Sequence, residues 1–280
     1  MGKLRRLDAE LVRRGLARSR QHAGELLAAG RVQVSGRPAG KAATQVDTAD
    51  PILVSESSDG PDYVSRGAHK LIGALEAFPE VRVEGVRCLD AGASTGGFTD
   101  VLLRRGAKHV VAVDVGYGQL AWQLQQDPRV TVLDRTNVRE LTPEQVAPAP
   151  GLVVADLSFI SLRLVMEPLA RASAPDADLL LMVKPQFEVG RERLGSGGVV
   201  RDPGLREQAV LDVAAAGAAA GLGVHGVAAS PLPGPSGNVE YFLWLRRRPQ
   251  DGIADDAIPP EELESRVHDA VTAGPQGAAR

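Results

Sequence analysis

Short apolar runs recur along the second half of the chain, separated by stretches with helical spacing. Seven of them follow residue 86: VRCLDAG, HVVAVDV, RVTVLD, GLVVADLS, ADLLLMVK, VHGVAAS and VEYFLWL. Apolar strands that alternate with helices are typical of a parallel sheet covered on both faces. The pattern therefore predicts an α/β fold with a seven-stranded sheet.

The last two predicted strands differ from the others in their connection. Only PLPGPSGN separates them, which is too short for a crossover helix, so we expect an antiparallel pair. A further helix is predicted before the sheet, in SRGAHKLIGALEAF, where apolar residues recur at helical spacing.

The first 55 residues have a different pattern, with two short helices and a small hairpin. Leu7, Leu11 and Val12 fall on one face of the first helix. Ser19 is a suitable N-cap for the second helix, and Gly30 is a suitable residue to end it. RVQVSGRPA then reads as a strand with a glycine turn.

Three regions follow from these patterns. We expect a small α+β domain with a linker at 1–59 and the α/β domain at 60–248. The polar stretch VSESSDGPD marks the linker. Residues 249–280 are expected to form a mostly mobile tail, with a short helix near 259–272 as an option.

Composition restricts the class of protein. The longest apolar runs, such as LLLMV, are too short to cross a bilayer, and the first residues lack the apolar core of a signal peptide. The single cysteine, Cys88, allows no intrachain disulfide and is expected to be a core residue. The five histidines show no ligand spacing, so we expect a cytoplasmic protein without a metal.

The net charge of −3 conceals an asymmetry between the two halves. Residues 1–41 carry a net charge of +7, which leaves −10 for the remainder. A basic module on an acidic body predicts a polyanionic partner for the module. RNA or DNA is the expected partner, and a merely solvated basic surface is the alternative.

The turn after the first strand of the sheet, DAGASTGG, resembles a nucleotide-binding loop but lacks the dinucleotide spacing. Asp90 would repel a pyrophosphate, whereas it would attract the sulfonium and amino groups of S-adenosylmethionine (AdoMet). Asp114 and Asp134 end the next two strands, where they can accept hydrogen bonds from a ribose and from an adenine amino group. The expected AdoMet site comprises Asp90, Gly92, Ser94, Gly96, Gly97, Asp114 and Asp134.

Candidate catalytic residues lie where ligands bind, at the carboxyl ends of the parallel strands. Asp156 and Lys184 follow the fourth and fifth strands, and Glu240 begins the antiparallel last strand at the same edge. Lys70 lies in the helix before the sheet. A lysine directly after LLLMV is poorly solvated unless it lines a cleft, although it could also snorkel to an ion pair.

Several of these segments together resemble the TlyA family of ribosomal RNA 2'-O-methyltransferases, over about residues 3–247. The segments are VSRGAHKL, DAGASTGGFTD, DLSFISL, VKPQFE and GNVEYF. LARSRQHAGELLAAGRVQVSGR likewise resembles an S4-type RNA-binding domain. The resemblance implies an S4-type domain followed by an FtsJ-like, class I Rossmann-like methyltransferase domain, in a family that includes proteins called haemolysin A.

The resemblance also implies roles for individual residues. Its catalytic tetrad corresponds to Lys70, Asp156, Lys184 and Glu240, and its cofactor is AdoMet. The expected substrate is ribosomal RNA or a ribosomal subunit, methylated at cytidine riboses of 16S and 23S RNA, which confers susceptibility to capreomycin-type antibiotics. The expected RNA contacts are Arg5, Arg6, Arg18, Arg20, Arg31 and Lys41.

The tetrad suits a ribose hydroxyl, which is a poor nucleophile until its proton is being removed. Lys184 is the expected base, and the oxygen would attack the sulfonium methyl group in line. The alternatives are a non-catalytic RNA-binding protein and a membrane-lytic haemolysin, which methyl-transfer and liposome-leakage assays would distinguish.

Overall fold

The structure is a computed structural model that describes residues 4–17, 19–55, 63–234, 236–247 and 256–274. The chain forms two compact units, Met1–Val64 and Ser65–Arg280. The domain boundary predicted near residue 59 lies outside the described residues.

The first unit contains two helices and five short strands. The helices are α1 (Leu7–Arg13) and α2 (Arg20–Ala28), and the strands are β1 (Leu4–Arg6), β2 (Val32–Val34), β3 (Arg37–Pro38), β4 (Gln45–Asp47) and β5 (Ile52–Val54). Strand β1 pairs with β4, and β2 lies between β3 and β5. Buried Leu7, Leu11, Leu26 and Leu27 form most of the core between the helices and β2.

The local signals of this unit act as the sequence predicted. The Ser19 hydroxyl accepts the backbone N–H of His22 at 3.1 Å and caps α2. Gly30 adopts φ +68° just after α2, where a residue with a Cβ would be strained. Ser35 and Gly36 both have positive φ in the two-residue turn between β2 and β3, which is typical of a type I′ hairpin.

The second unit is a sheet with helices on both faces. Its strands are β6 (Arg87–Ala91), β7 (His109–Val113), β8 (Val130–Leu133), β9 (Leu152–Ala155), β10 (Asp178–Val183), β11 (Leu222–Ala229) and β12 (Tyr241–Arg247). Its helices are α3 (Ala68–Ala77), α4 (Gly97–Arg104), α5 (Trp122–Gln125), α6 (Pro143–Val146), α7 (Met166–Ala172), α8 (Pro185–Glu188), α9 (Pro203–Ala219) and α10 (Pro260–Ala273). Short 3-10 helices lie at Val138–Glu140, Leu162–Leu164, Arg191–Arg193 and Ser196–Gly198.

The strand order is β11-β12-β10-β9-β6-β7-β8. Neighbouring strands from β10 to β8 pair in parallel, whereas β12 is antiparallel to both β10 and β11. This arrangement confirms the seven-stranded α/β fold and the antiparallel last pair. Because β12 runs in the opposite direction, its first residues lie at the edge where the parallel strands end.

Alternate residues of the strands pack on opposite faces of the sheet. Leu89, Val111 and Leu181 belong to a core cluster with residues of α7, α9 and α10. On the other face, Phe98 of α4 stacks on Phe242, with ring centroids 6.2 Å apart. Cys88 is fully buried within β6, as expected for a core residue, and burial raises the pKa of its thiol to about 12.

The sequence favoured a mobile tail after residue 248, but the structure packs part of this region on the sheet. Helix α10 buries Val267 and Val271 in the core cluster that it shares with α9 and β11. Leu263, Val267 and Val271 form an apolar stripe at helical spacing, which the many charged residues around them obscure in the sequence. The remaining tail residues, 249–255 and 275–280, lie outside the described residues.

The packing of α10 predicts that it contributes to the stability of the second unit. Val267→Ala removes two buried methyl groups and should lower the free energy of unfolding by about 2 kcal/mol. Chemical denaturation should show this loss, whereas the exposed Glu264→Ala, one turn away, should change stability by less than about 0.5 kcal/mol. Equal stability of Val267→Ala and the parent would mean that α10 is not part of the folded unit in solution.

Candidate active site

The turn between β6 and α4 runs close to two other segments. Gly92 has φ +86°, and a Cβ at this position would lie 2.9 Å from the backbone oxygen of Asp156. A Cβ on Gly97 would lie 2.9 Å from the backbone nitrogen of Ala68 at the start of α3. Glycine at these positions therefore lets three strand and helix ends converge around one pocket.

The pocket opens directly above this turn. Its lining comprises Gly92, Ala93, Ser94, Thr95, Gly97, Phe98, Ser65, Gly67 and Asp156. The glycine turn predicted to hold the cofactor thus shares a pocket with Asp156, which was predicted to be catalytic.

Asp90 lies below the pocket and is fully buried. One carboxylate oxygen accepts the hydroxyl of Thr99 at 2.7 Å, and the other has no hydrogen-bond partner among the described residues. Burial raises the pKa of Asp90 to about 7, and the charge of Asp156 adds to the effect. A buried acid with an unused acceptor atom fits a cationic ligand, because the ligand would supply the missing partner.

Asp114 and Asp134 are already held by backbone groups. Asp114 accepts the N–H of Ser94 at 2.8 Å and that of Gly116 at 2.7 Å. Asp134 accepts the N–H of Gly118 at 2.9 Å. Each carboxylate oxygen keeps a second lone pair, so both side chains can still bind a hydroxyl or an amino group. The structure brings Asp114 to the glycine turn through Ser94.

The four candidate catalytic residues form a continuous chain of opposite charges. The Lys70 Nζ atom lies 2.5 Å from Glu240 Oε2 and 3.9 Å from Asp156 Oδ2. The Lys184 Nζ atom lies 2.5 Å from Asp156 Oδ1. Both lysines and Glu240 are buried, whereas the Asp156 side chain is 21% exposed and borders the pocket. Asp156 therefore links the buried pairs to the open side of the site.

Helix α3 reaches this chain of charges because it approaches the β11–β12 connection very closely. A Cβ on Gly73 would lie 2.5 Å from Cγ of Pro231. Phe78, after the end of the helix, packs on Trp244 of β12, with ring centroids 5.7 Å apart. These contacts bring Lys70 within reach of Glu240 at the start of β12.

Ser158 is a site residue that sequence reasoning missed. Its hydroxyl accepts a hydrogen bond from Lys184 Nζ at 3.0 Å. Its position in DLSFISL, two residues after Asp156, was a possible signal, but a serine in a loop has too many ordinary roles for that position alone to indicate one.

The predicted RNA contacts of the first unit have mixed environments. The guanidinium groups of Arg6 and Arg20 both pair with the buried Asp8, at 3.0 and 2.8 Å, yet their side chains remain 46% and 61% exposed. Asp8 therefore fixes two arginines at the surface. Arg6 and Arg20 have structural partners as well as access to solvent.

The other predicted contacts differ from this pair. Arg31 donates to the backbone oxygen of Ser55 at 2.7 and 2.9 Å, and Lys41 is exposed. Arg5 is half-buried, and its Nε atom has no hydrogen-bond partner among the described residues. Arg18 lies outside the described residues. Lys41 has the exposure expected of a phosphate contact without a visible structural task.

Two further searches covered the described residues. They contain no group of three or more histidine, cysteine, aspartate or glutamate side chains suited to holding a metal ion. Within the same residues, no helix has both the length and the apolar character needed to cross a bilayer.

Comparison with known proteins first gives the class. The model of the FtsJ-like methyltransferase family matches residues 63–247, and that of the S4 domain matches residues 5–52. The first match covers the glycine turn and all four residues of the charge chain.

Individual relatives narrow the class further. The chain is 58% identical to a 16S/23S rRNA (cytidine-2'-O)-methyltransferase TlyA of Mycobacterium tuberculosis, over 98% of this chain and 100% of that protein. It is 34% identical to a 23S rRNA (cytidine-2'-O)-methyltransferase TlyA of Campylobacter jejuni, over 65% of this chain and 70% of that protein. A solved structure from Streptococcus thermophilus that carries the name hemolysin superposes with a TM-score of 0.71, at 35% identity and 97% coverage of both chains.

The chain belongs to the FtsJ-like methyltransferase family, within the TlyA group that joins this domain to an S4 domain.

The environment of Asp90 predicts pH-dependent binding of AdoMet. In the free protein Asp90 is protonated below pH 7, and a bound cation favours its ionised form, so affinity should fall as the pH is lowered. Between pH 7.5 and pH 6.0 the Kd should rise roughly eightfold, measured by calorimetry.

The isosteric Asp90→Asn cannot ionise, so it should bind more weakly at pH 7.5 and lose this pH dependence. Asp176→Asn, at an exposed acid, should keep it. The same pH dependence in Asp90→Asn and the parent would contradict a role for Asp90 in binding the cation.

Proposed function

We propose that this protein transfers a methyl group from AdoMet to the 2'-hydroxyl of a ribose in ribosomal RNA. The observation that carries the proposal is the chain of charges Glu240–Lys70–Asp156–Lys184, whose Asp156 lies in the lining of the pocket above the glycine turn. A nucleophile held by this chain would be beside a cofactor held by the turn.

The cofactor would be held by the residues around the turn. Asp90 offers a buried acceptor to its cationic end, and Asp114 and Asp134 offer acceptors for the ribose and the adenine. AdoMet supplies an electrophilic methyl group on a sulfonium.

Lys184 is the residue that would take the hydroxyl proton. Only a neutral amine can accept a proton, and Asp156 and Ser158 fix the position of the Nζ atom. Lys70 holds Asp156 from the other side and is itself held by Glu240. The ribose oxygen would then attack the methyl group in line, so much of the rate would come from orientation.

The substrate is proposed from the relatives and from the charge of the first unit. Their names specify cytidine riboses of 16S and 23S ribosomal RNA, or of 23S RNA alone. We extend to this chain methylation of cytidine in both RNAs, as naked RNA or in a ribosomal subunit, in the cytoplasm. Mapping of ribose methylation in ribosomal RNA from cells with and without the protein tests the nucleotide and the RNA.

Lys184→Ala tests the catalytic assignment. The variant should keep AdoMet and RNA affinity within about threefold of the parent and lose at least about 100-fold in turnover, because the lysine acts in the transition state. Transfer of a labelled methyl group to ribosomal RNA or subunits is the measurement. Turnover within about threefold of the parent would exclude Lys184 as the base.

Lys41 tests whether the first unit binds phosphates. Lys41→Ala should weaken RNA binding about three- to tenfold and lower the slope of log affinity against log salt by about one, because one fewer counterion is released. Lys108→Ala is the matched control, since Lys108 is exposed at the amino end of β7, at the edge away from the glycine turn. An identical effect in the two variants would show that overall charge matters, not this surface.

A further inference from the structure

Glu188 is a buried acid outside the charge chain, and sequence reasoning gave it no role. Its carboxylate accepts the hydroxyl of Ser161 at 2.5 Å and the backbone N–H of Leu162 at 2.8 Å. Arg163 Nε lies 3.4 Å from the same carboxylate. Burial raises the pKa of Glu188, while these contacts oppose the rise. A buried carboxylate is costly unless its partners are in place, so Glu188 binds the segment 161–163 tightly.

The two segments that Glu188 joins are the ones that carry the proposed base and its partners. Helix α8 begins directly after Lys184 and ends at Glu188. The loop that begins with Asp156 and Ser158 continues to Ser161. Lys184 contacts Asp156 and Ser158 at one end of these segments, and Glu188 contacts Ser161 and Leu162 at the other. The loop is therefore anchored to α8 at both ends.

The part of the loop between the two anchors is strained. Phe159 has φ +64°, which is unfavourable for a residue with a bulky side chain. Its ring is 91% exposed and contacts Phe187 of α8, with centroids 5.3 Å apart. Such a conformation persists only when the surrounding contacts impose it, and Glu188 makes the strongest of those contacts that the structure describes. Without this anchor the loop could relax and carry Ser158 away from Lys184.

We propose that Glu188 is a positioning residue for methyl transfer, which anchors the loop 157–162 to α8 and so keeps Asp156 and Ser158 against Lys184. The inference rests on the proposed function. Glu188 contributes to the chemical step without contacting the pocket above the glycine turn.

The experiment compares Glu188→Ala, Glu188→Gln and Ser161→Ala in the full-length protein. Glu188→Ala should lower kcat about 20- to 100-fold and leave the AdoMet Kd within about twofold of the parent, because the glycine turn is untouched. Glu188→Gln should recover kcat to within about fivefold of the parent. Its amide oxygen can still accept from Leu162, and its amide nitrogen can donate to Ser161.

A double-mutant cycle separates positioning from a general loss of stability. Ser161→Ala should lower kcat about three- to tenfold, and adding it to Glu188→Ala should cause little further loss, because both act through one contact. The control is Glu192→Ala, an exposed acid in the next turn, which should behave as the parent.

Three results would overturn the inference. They are a kcat of Glu188→Ala within threefold of the parent, a loss explained by weaker AdoMet binding, and additive effects in the cycle. If Glu188→Ala does not fold, Ser161→Ala decides, and a kcat equal to that of the parent would overturn the inference. An inactive parent would instead refute the proposed function, and this inference with it.

Discussion

Four ionisable side chains share one poorly solvated edge of the sheet, and each depends on its neighbour for a counter-charge. An isolated buried charge costs several kcal/mol, so removal of one member leaves its partner uncompensated. Glu240 can meet Lys70 only because β12 runs against its neighbours and starts at the edge where β9 and β10 end. The direction of one strand and the close approach of α3 at Gly73 are therefore requirements of the charge chain as well as of packing.

The sequence carried much of the fold because the relevant signals are local. Continuous apolar runs, Ser19 as a cap and Gly30 after α2 act through their own backbone and immediate neighbours. The residues of the charge chain could be proposed from strand ends and from resemblance, and the structure brings them together. Their roles in catalysis, like those of Asp90, Asp114 and Asp134, remain proposals, because positions alone do not give a reaction.

What the sequence could not give depends on contacts between distant segments. The net charge of +7 in the first 41 residues treats Arg6 and Arg20 as free, whereas the buried Asp8 partly neutralises both. Arg14 likewise pairs with the buried Glu10 at 2.7 Å and donates to backbone oxygens of the 47–50 turn. Part of the basic character of this unit thus holds the fold together, and charge counting overstates what is available to a polyanion.

The carboxylates around the glycine turn differ in a way that their sequence positions did not reveal. Asp114, Asp134 and Asp156 each have a backbone or side-chain partner, whereas fully buried Asp90 uses one oxygen only. The protein therefore keeps three acids ready as hydrogen-bond acceptors and leaves one carboxyl whose charge is opposed by burial. A neutral ligand would gain little from that carboxyl, and an anion would be repelled once it ionised. A cation both relieves the unfavourable charge and completes its hydrogen bonds, so the electrostatics of Asp90 discriminate in favour of the charged end of a sulfonium cofactor.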